Sequence, residues 1–341
     1  MVLKAIIHAM AFYAPESILV TGGAGFIASH VVVHLVEKYP SVNVVVVDKL
    51  DASASLCNLA AVTDRPNFKF VKGDVQSGDL MSYLIDKESI DTVMHFAAQT
   101  HVDSSFGNSI SFTMNNTLGT HVLLEACRKA GEGVIKRFIN VSTDADCEIA
   151  LQEDGSCLAP TNPYSAAKVG AEMLCRAYMT SYGVPVIITR GNNVYGPRQY
   201  PEKAIPKFIM LASRGHPLPV HGTGASVRSY LYVDDVVDAF DCILHRGATG
   251  ETYNIGTEQE RSVLEVAWDI CRYFDVTRGI RGCVSHVADR AFNDRRYFIG
   301  SQKLQQLGWS QQTPWNVGLK KTINWYMSTD TDAHWPCIET Q

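Results

Sequence analysis

Ser17–Thr21 is an apolar run that ends in Gly22-Gly23-Ala24-Gly25 and passes at once into the helical period Ile27–Lys38. A buried strand, a glycine turn and a helix in immediate succession leave few folds open to the chain. The pattern continues. Val42–Val47, Phe68–Val71, Thr92–Phe96 and Arg137–Val141 read as further buried parallel strands. Amphipathic segments such as Leu80–Asp86 lie between them, and the periodicity predicts one long helix from about Ile110 to Lys129. This alternation predicts an α/β fold with a Rossmann-type doubly wound parallel sheet. After Gly191 the alternation becomes irregular. Pro, Gly and charged residues gather at Gly196–Pro201, Gly215–Gly224 and Asp289–Arg296. The expected division is an extension over 1–16, disordered or loosely attached, then a dinucleotide-binding and catalytic unit over 17–190. A smaller C-terminal substrate-binding lobe, interleaved with the last sheet strands, covers 191–330, and 331–341 form a tail.

The glycine turn has the pattern Gly22-x-x-Gly25-x-x-Ala28. Gly22 permits the tight turn and Gly25 lets the backbone approach a pyrophosphate, with Phe26 and Ile27 opening the helix beside it. Ala28 is small enough for helix to pack on strand. Asp48 ends the second strand, about 20 residues past Ala28, where a carboxylate accepts from ribose hydroxyls and repels a 2′-phosphate. That favours NAD over NADP. Asp74 and Val75 follow the third strand and are candidates for the adenine edge. Ala97 and Ala98, after the fourth, let the backbone run close beneath the cofactor.

Tyr164 and Lys168 are four residues apart, one helical turn, and project from one face. Pro163 marks the helix start. Thr143 and Asp144 end the preceding strand. A free tyrosine titrates near 10, and a neighbouring ammonium and a cationic nicotinamide both favour its phenolate. Tyr164 can therefore take the proton of a sugar hydroxyl while Lys168 stabilises the phenolate and bonds the nicotinamide ribose. Thr143 would orient the hydroxyl.

Bulk properties narrow the partners. The 341 residues carry a net charge of −5 and no basic stripe, which excludes a nucleic-acid binder. The nine cysteines include no CxxC pair, so neither a disulfide framework nor a zinc site is expected, and no metal. The N-terminal apolar stretch is too short and interrupted for a membrane span and lacks a convincing signal cleavage site. A cytoplasmic protein is expected.

The segments TGGAGFIAS, HFAAQTHVD, VSTD, PYSAAK, RGNNVYGP, VRSYLYVDD and YNIG occur in this order. Together they resemble the extended short-chain dehydrogenase/reductases, specifically the nucleotide-sugar 4,6-dehydratases, over about residues 17–327. Asp48-Lys49-Leu50-Asp51 and Arg190-Gly191-Asn192-Asn193 look closer to the UDP-glucose 4,6-dehydratase domain of plant-type rhamnose synthases than to bacterial dTDP-glucose enzymes. The resemblance implies bound NAD and conversion of UDP-glucose, or dTDP-glucose, to a 4-keto-6-deoxy sugar, feeding rhamnose or other deoxysugar synthesis. The sugar is oxidised at C4, water is lost across C5–C6, and hydride returns to C6. It further implies that Asn193, Lys203, Arg228, Asn254 and Arg290 bind the diphosphate and sugar. Gln99, His101 and Asp103 would line the sugar pocket. Two helices, Ile110–Lys129 and Tyr164–Ser181, would form a four-helix homodimer interface. A separate epimerase and reductase would act downstream.

Water loss needs an acid and a base. In the family a Thr-Asp-Glu sequence supplies them. Here Asp144 fits the acid, but the base position is Ala145, and Asp146-Cys147-Glu148-Ile149 replaces the usual continuation. Ala291 stands where proline is expected after Arg290. Three readings stay open at the base. Asp146 or Glu148 substitutes for it; dehydration runs slowly, since a lost general base costs roughly 10²–10⁴-fold; or the chain is a splice form, sequencing variant or degenerate paralogue that binds sugar nucleotide without turnover. A nucleotide-sugar 4-epimerase, which needs the redox trio but no such base, is the competing enzyme class.

Overall fold

A computed structural model describes residues 12–143, 160–191, 193–274, 280–288 and 299–336. The chain opens with β1 (Ser17–Thr21), α1 (Phe26–Lys38), β2 (Asn43–Asp48) and β3 (Phe68–Lys72). Next come α2 (Gly78–Lys87), β4 (Thr92–His95), α3 (Val102–Gly107) and α4 (Ser109–Phe112). A π-helical stretch, Thr113–Leu118, leads into α5 (Gly119–Lys129). Then follow β5 (Arg137–Thr143), α6 (Pro163–Tyr182) and β6 (Val186–Gly191). The predicted long helix over 110–129 is therefore present, but π geometry interrupts it in the middle.

The main sheet has seven strands in the order β3-β2-β1-β4-β5-β6-β10, where β10 is Thr252–Ile255. Every neighbouring pair is parallel. Side chains alternate between its faces. Ile18, Val20, Val44 and Val46 pack with α1 and with α8 (Val233–Arg246), whereas Leu19, Val45, Val47 and Val93 pack with α2, α5 and α6. Both faces are covered, which is why these strands are continuous apolar runs rather than alternating ones. The strand order reverses between β1 and β4. In open α/β sheets ligands bind outside the carboxyl ends of the strands at such a point.

The C-terminal third adds a second layer: β7 (Asn193–Tyr195), α7 (Ala204–Ser213), β8 (Leu218–His221) and β9 (Val227–Tyr232), then β11 (Glu260–Ser262) and α9 (Val263–Tyr273). Strand β12 (Val284–Val287) and helix α10 (Trp315–Ser328) complete it. β11, β9 and β7 form a three-stranded sheet, and β12 pairs with β8. Tyr195, Tyr232 and Trp315 meet in its core, with Phe208, Ile209 and Ile323. The short β7 follows β6 almost directly, so the second layer hangs at the carboxyl edge of the main sheet.

The last residues of the expected loose extension are tied down. Tyr13 hydrogen-bonds Thr92 through its hydroxyl at 2.6 Å, and its ring lies under the Arg137 guanidinium at 4.3 Å. Arg137 in turn donates to the carbonyls of Ile243 and Leu244 at the C-terminal end of α8. Burying an aromatic against a guanidinium that also caps a helix end outweighs the entropy of leaving these residues free. Residues 1–11 lie outside the described residues.

Candidate active site

Gly22 has φ +69°, and a Cβ placed there would lie 2.7 Å from the Ala97 Cα and 2.8 Å from its nitrogen. Only glycine satisfies both the left-handed turn and this approach. Gly25 then caps α1 in an extended conformation, without a side-chain hydrogen bond, and the first turn holds no acidic residue. The orphan amides and the positive end of α1, with Phe26 and Ile27 in its first turn, are therefore left for an anion.

Asp48 is buried at the end of β2. It accepts from the amide of Ala24 at 3.0 Å and of Leu50 at 2.8 Å. Its first task is thus to hold the glycine turn, with further acceptor capacity left on both oxygens. Burial raises its carboxyl above the ordinary range, and these two backbone donors work against that shift. Asp74 accepts from the Gln76 amide at 2.9 Å, closing an Asx turn. Val75 is buried and reaches Gly119, where a Cβ would meet it at 2.9 Å.

The loop after β4 is held from below by buried groups that sequence reasoning passed over. The Thr21 hydroxyl bonds His95 Nδ1 at 2.7 Å and accepts from the Ala97 amide at 3.3 Å. His95 Nε2 meets the Thr120 hydroxyl at 2.9 Å, and that hydroxyl donates to the Asn116 carbonyl at 2.6 Å. Asn116 grips Gln99 at both backbone groups, accepting from its amide at 2.8 Å and donating to its carbonyl at 3.0 Å. The chain of bonds is consistent with a neutral imidazole carrying its hydrogen on Nε2. Desolvation, helped by the Lys168 charge, lowers the His95 pKa to about 3. Asn116 belongs to the π-helical stretch, a geometry that recurs at functional sites. The only advance signal was the run of Asn and Thr inside an otherwise amphipathic helix.

Thr143 ends β5. Asn162 caps α6 by accepting from the Ser165 amide at 2.9 Å, and Pro163 stands in the first turn, so Tyr164 is held at the helix entrance. The ring of Phe112 stands edge-on to Tyr164 at 6.4 Å. One turn on, Lys168 is buried and donates to the Val141 carbonyl at 2.5 Å, two residues before Thr143. Burial lowers its pKa to about 8. The predicted trio is therefore carried by two elements, β5 and α6, that this hydrogen bond links. Asp144, with Ala145, Asp146 and Glu148, lies outside the described residues, as do Asn192, Arg290 and Ala291.

Of the predicted sugar-site residues, several converge from two loops. His101 caps α3 and bonds the Ser104 hydroxyl at 2.6 Å. Its ring lies 3.8 Å from Asp103 and 3.6 Å from Glu202. Lys203 pairs with Glu202 at 3.3 Å and donates to the Thr100 carbonyl at 3.0 Å. Gln99 accepts from the Ser111 hydroxyl at 3.1 Å. These contacts draw the loop after β4 against the segment that leads into α7. Asn193 on β7 lies beside Tyr230 on β9, and Arg228 is half-buried on β9 opposite Arg261 of β11. Asn254 is fully buried in β10, opposite Arg190 of β6. Among the described residues no group of three or more His, Cys, Asp or Glu could hold a metal, and no helix is long and apolar enough to cross a membrane.

Comparison with known proteins gives the context of this geometry. The family model described as GDP-mannose 4,6 dehydratase matches residues 19–322. The chain is 57% identical over 323 residues to the trifunctional UDP-glucose 4,6-dehydratase/UDP-4-keto-6-deoxy-D-glucose 3,5-epimerase/UDP-4-keto-L-rhamnose-reductase RHM1 of Arabidopsis thaliana. That match covers 93% of this chain and 48% of the relative, so the chain spans about half its length. It is 47% identical to the dTDP-D-glucose 4,6-dehydratase of Bos taurus, covering 91% of this chain and 88% of that one. Among solved structures, dTDP-glucose 4,6-dehydratase DesIV of Streptomyces venezuelae with NAD and TYD bound superposes with a TM-score of 0.86 at 35% identity. That superposition covers 94% of this chain and 98% of DesIV.

Proposed function

This chain belongs to the GDP-mannose 4,6-dehydratase family, and on that premise we propose that it is an NAD-dependent nucleotide-sugar 4,6-dehydratase converting UDP-glucose to UDP-4-keto-6-deoxyglucose. The observation that carries the proposal is the Lys168–Val141 hydrogen bond, which ties the helix bearing Tyr164 and Lys168 to the strand that ends in Thr143. The identity to the Arabidopsis protein favours UDP-glucose, with dTDP-glucose the alternative nucleotide.

The residues present fit NAD. The uncapped first turn of α1 after Gly22 and Gly25 suits a pyrophosphate, Asp48 the adenosine ribose, and Asp74 and Val75 the adenine edge. Ala97 and Ala98 leave room beneath the nicotinamide, and Lys168 would bond its ribose. When bound, NAD takes up hydride from C4 of the sugar and gives it back at C6.

Within that frame Tyr164 removes the C4 hydroxyl proton, Lys168 stabilises the phenolate, and Thr143 holds the hydroxyl in line. The 4-keto group acidifies the C5 hydrogen. Asp144 protonates the departing 6-hydroxyl. A group other than Ala145 accepts the C5 proton. His101, Lys203 and Arg228 bind sugar and diphosphate, with Gln99, Asp103, Asn193, Asn254 and Arg290 completing the pocket. Two copies would associate through the helices that carry Ile110 and Met173.

Mass spectrometry of the pure protein with UDP-glucose and, in parallel, dTDP-glucose tests this. Loss of one water is expected, faster with UDP-glucose. Unchanged mass with appearance of a galactose-type isomer would replace the reading with a 4-epimerase, which Ala145 alone favours. Binding without turnover would leave a sugar-nucleotide-binding paralogue.

A further inference from the structure

Helix α6 carries its chemistry on one stripe: Tyr164, Lys168, Glu172 and Arg176 follow at intervals of four. Glu172 is fully buried. One of its oxygens accepts from Arg190 Nη2 at 2.6 Å and from Arg176 Nη2 at 3.1 Å; the other accepts from Arg190 Nε at 3.1 Å. The Ser142 hydroxyl, one residue before Thr143, also bonds it. Arg190 is fully buried on β6, and its Cα lies opposite that of Ser142. Arg176 reaches onward to the Thr252 hydroxyl on β10 at 3.1 Å. A single carboxylate therefore gathers three strands beneath the helix that bears Tyr164 and Lys168.

This layer is costly to keep. Arg190 Nη1 and both amide atoms of Asn140, two residues before Ser142, are buried with no hydrogen-bond partner among the described residues. Buried ion pairs seldom stabilise more than a well-packed apolar replacement does. Stability alone therefore gives a poor account of it. The charges give a better one. Glu172 and the Cys175 thiol, on its own helix, act on Lys168, and β4 supplies neutral His95; Arg190 of β6 and Arg176 bear on Glu172, and the Cys127 thiol of α5 lies next to Cys175. Burial holds both thiols protonated. Among these described groups three cations face one anion.

We propose that Glu172 is a positioning residue for this site: it braces α6 against β5 and β6 so that Lys168 and Tyr164 face Thr143, and its charge keeps Lys168 an ammonium. This rests on the roles given to Tyr164 and Lys168 above. Without Glu172, the two guanidiniums on the same layer lose their counter-charge, and Lys168 loses the carboxylate that favours its charge. Its proton would be lost at lower pH and the phenolate would lose its partner. Removing Arg176 leaves Glu172 less neutralised and so acts in the opposite direction.

The test is an NMR pH titration of protein labelled at the lysine ε-carbons, with Lys168→Met assigning the signal, in the wild type, Glu172→Gln and Arg176→Gln. The Lys168 midpoint should fall by about one pH unit or more in Glu172→Gln and rise in Arg176→Gln. The high-pH limb of UDP-glucose turnover should move with it. Midpoints that stay in place while only the melting temperature drops would overturn the proposal and leave Glu172 a structural group. If Glu172→Gln does not fold, Arg176→Gln, at a half-buried position, decides alone. The midpoint is read without turnover. A shifted midpoint in a protein inactive on both sugar nucleotides would support the charge balance while refuting the dehydratase reading.

Discussion

Lys168 donates to the carbonyl oxygen of Val141 at 2.5 Å, so the ammonium is anchored to the strand that delivers Thr143 rather than left to rotate in solvent. The same burial lowers its pKa to about 8. Lys168 is charged below that pH and neutral above it. If the ammonium stabilises the Tyr164 phenolate, kcat should fall as pH rises through about 8, well below the 10.5 of an unperturbed lysine. A pH–rate profile checks this. A rate that stays flat to pH 10 would show that the charge of Lys168 is not used.

Tyr164 and Thr143 have separable tasks. Tyr164→Phe keeps the ring that meets Phe112 but removes the proton acceptor. Turnover should drop roughly 10²–10⁴-fold with little change in melting temperature. Thr143→Val should cost less, because it removes orientation and not the proton transfer. Single-turnover assays by mass spectrometry would rank the two, and the opposite order would reassign the proton acceptor.

Asn116 is the keystone of the loop after β4. Its amide supplies both partners of the Gln99 backbone. Asn116→Ala leaves two backbone groups without those bonds, a loss of about 1–3 kcal/mol for each group that stays buried. The melting temperature should fall, and retained NAD should fall with it because the loop that carries Ala97 and Ala98 loses its hold at Gln99. Cofactor content after gel filtration would reveal a loss of stability alone, in which NAD stays bound.

On the outer helices, Ile110 is 76% exposed, Met114 43%, Leu118 37% and Met173 42%. We take these exposed apolar side chains as the surface through which two copies would associate. Ile110→Glu should convert a dimer to a monomer without unfolding it, as read by light scattering. A wild-type protein that is monomeric at micromolar concentration would remove the proposal of self-association.

The sheet was legible because both its faces are covered. Val44–Val47 is apolar without alternation, and a run of that length and composition, bounded by turns, fits a strand buried on both sides. Tyr164 and Lys168 were legible because a helical spacing of four is a local quantity. What escaped was non-local. Nothing in the residues around His95 announces that Thr21, 74 positions earlier, and Thr120 close upon its two nitrogens. Arg190 read as part of a motif, yet its carboxylate partner lies 18 positions away on another element. Asn254 was placed toward the diphosphate by resemblance, and nothing in the local sequence announces that it is fully buried on β10 beside Arg190. The π-helical stretch was invisible for a related reason. Within it Asn116 bonds Gln99, a contact to another element that the amphipathic period cannot encode.

Asp241, on the face of the sheet opposite α6, offers a control remote from the catalytic trio. Burial would raise its pKa, but contacts from His34, Lys38 and Tyr39 outweigh burial and hold the carboxyl well below the ordinary aspartate range. The Lys38 ammonium is 2.9 Å away and the Tyr39 hydroxyl 2.7 Å. A depressed carboxyl contributes stability above its unfolded-state pKa, near 3.9, and loses that contribution as pH falls through the folded value. Asp241→Asn should therefore melt lower than the wild type at neutral pH, by about 1–3 kcal/mol in stability. The gap should narrow only below about pH 4. His95 complicates the absolute curve. Its pKa of about 3 means that the unfolded chain binds a proton below about 6.5 that the folded one refuses, so stability declines across that range. That decline is common to both proteins and cancels in their difference. Melting curves of the pair from pH 3 to 8 thus isolate Asp241, and a gap that stayed constant down to pH 3 would show that its charge contributes nothing.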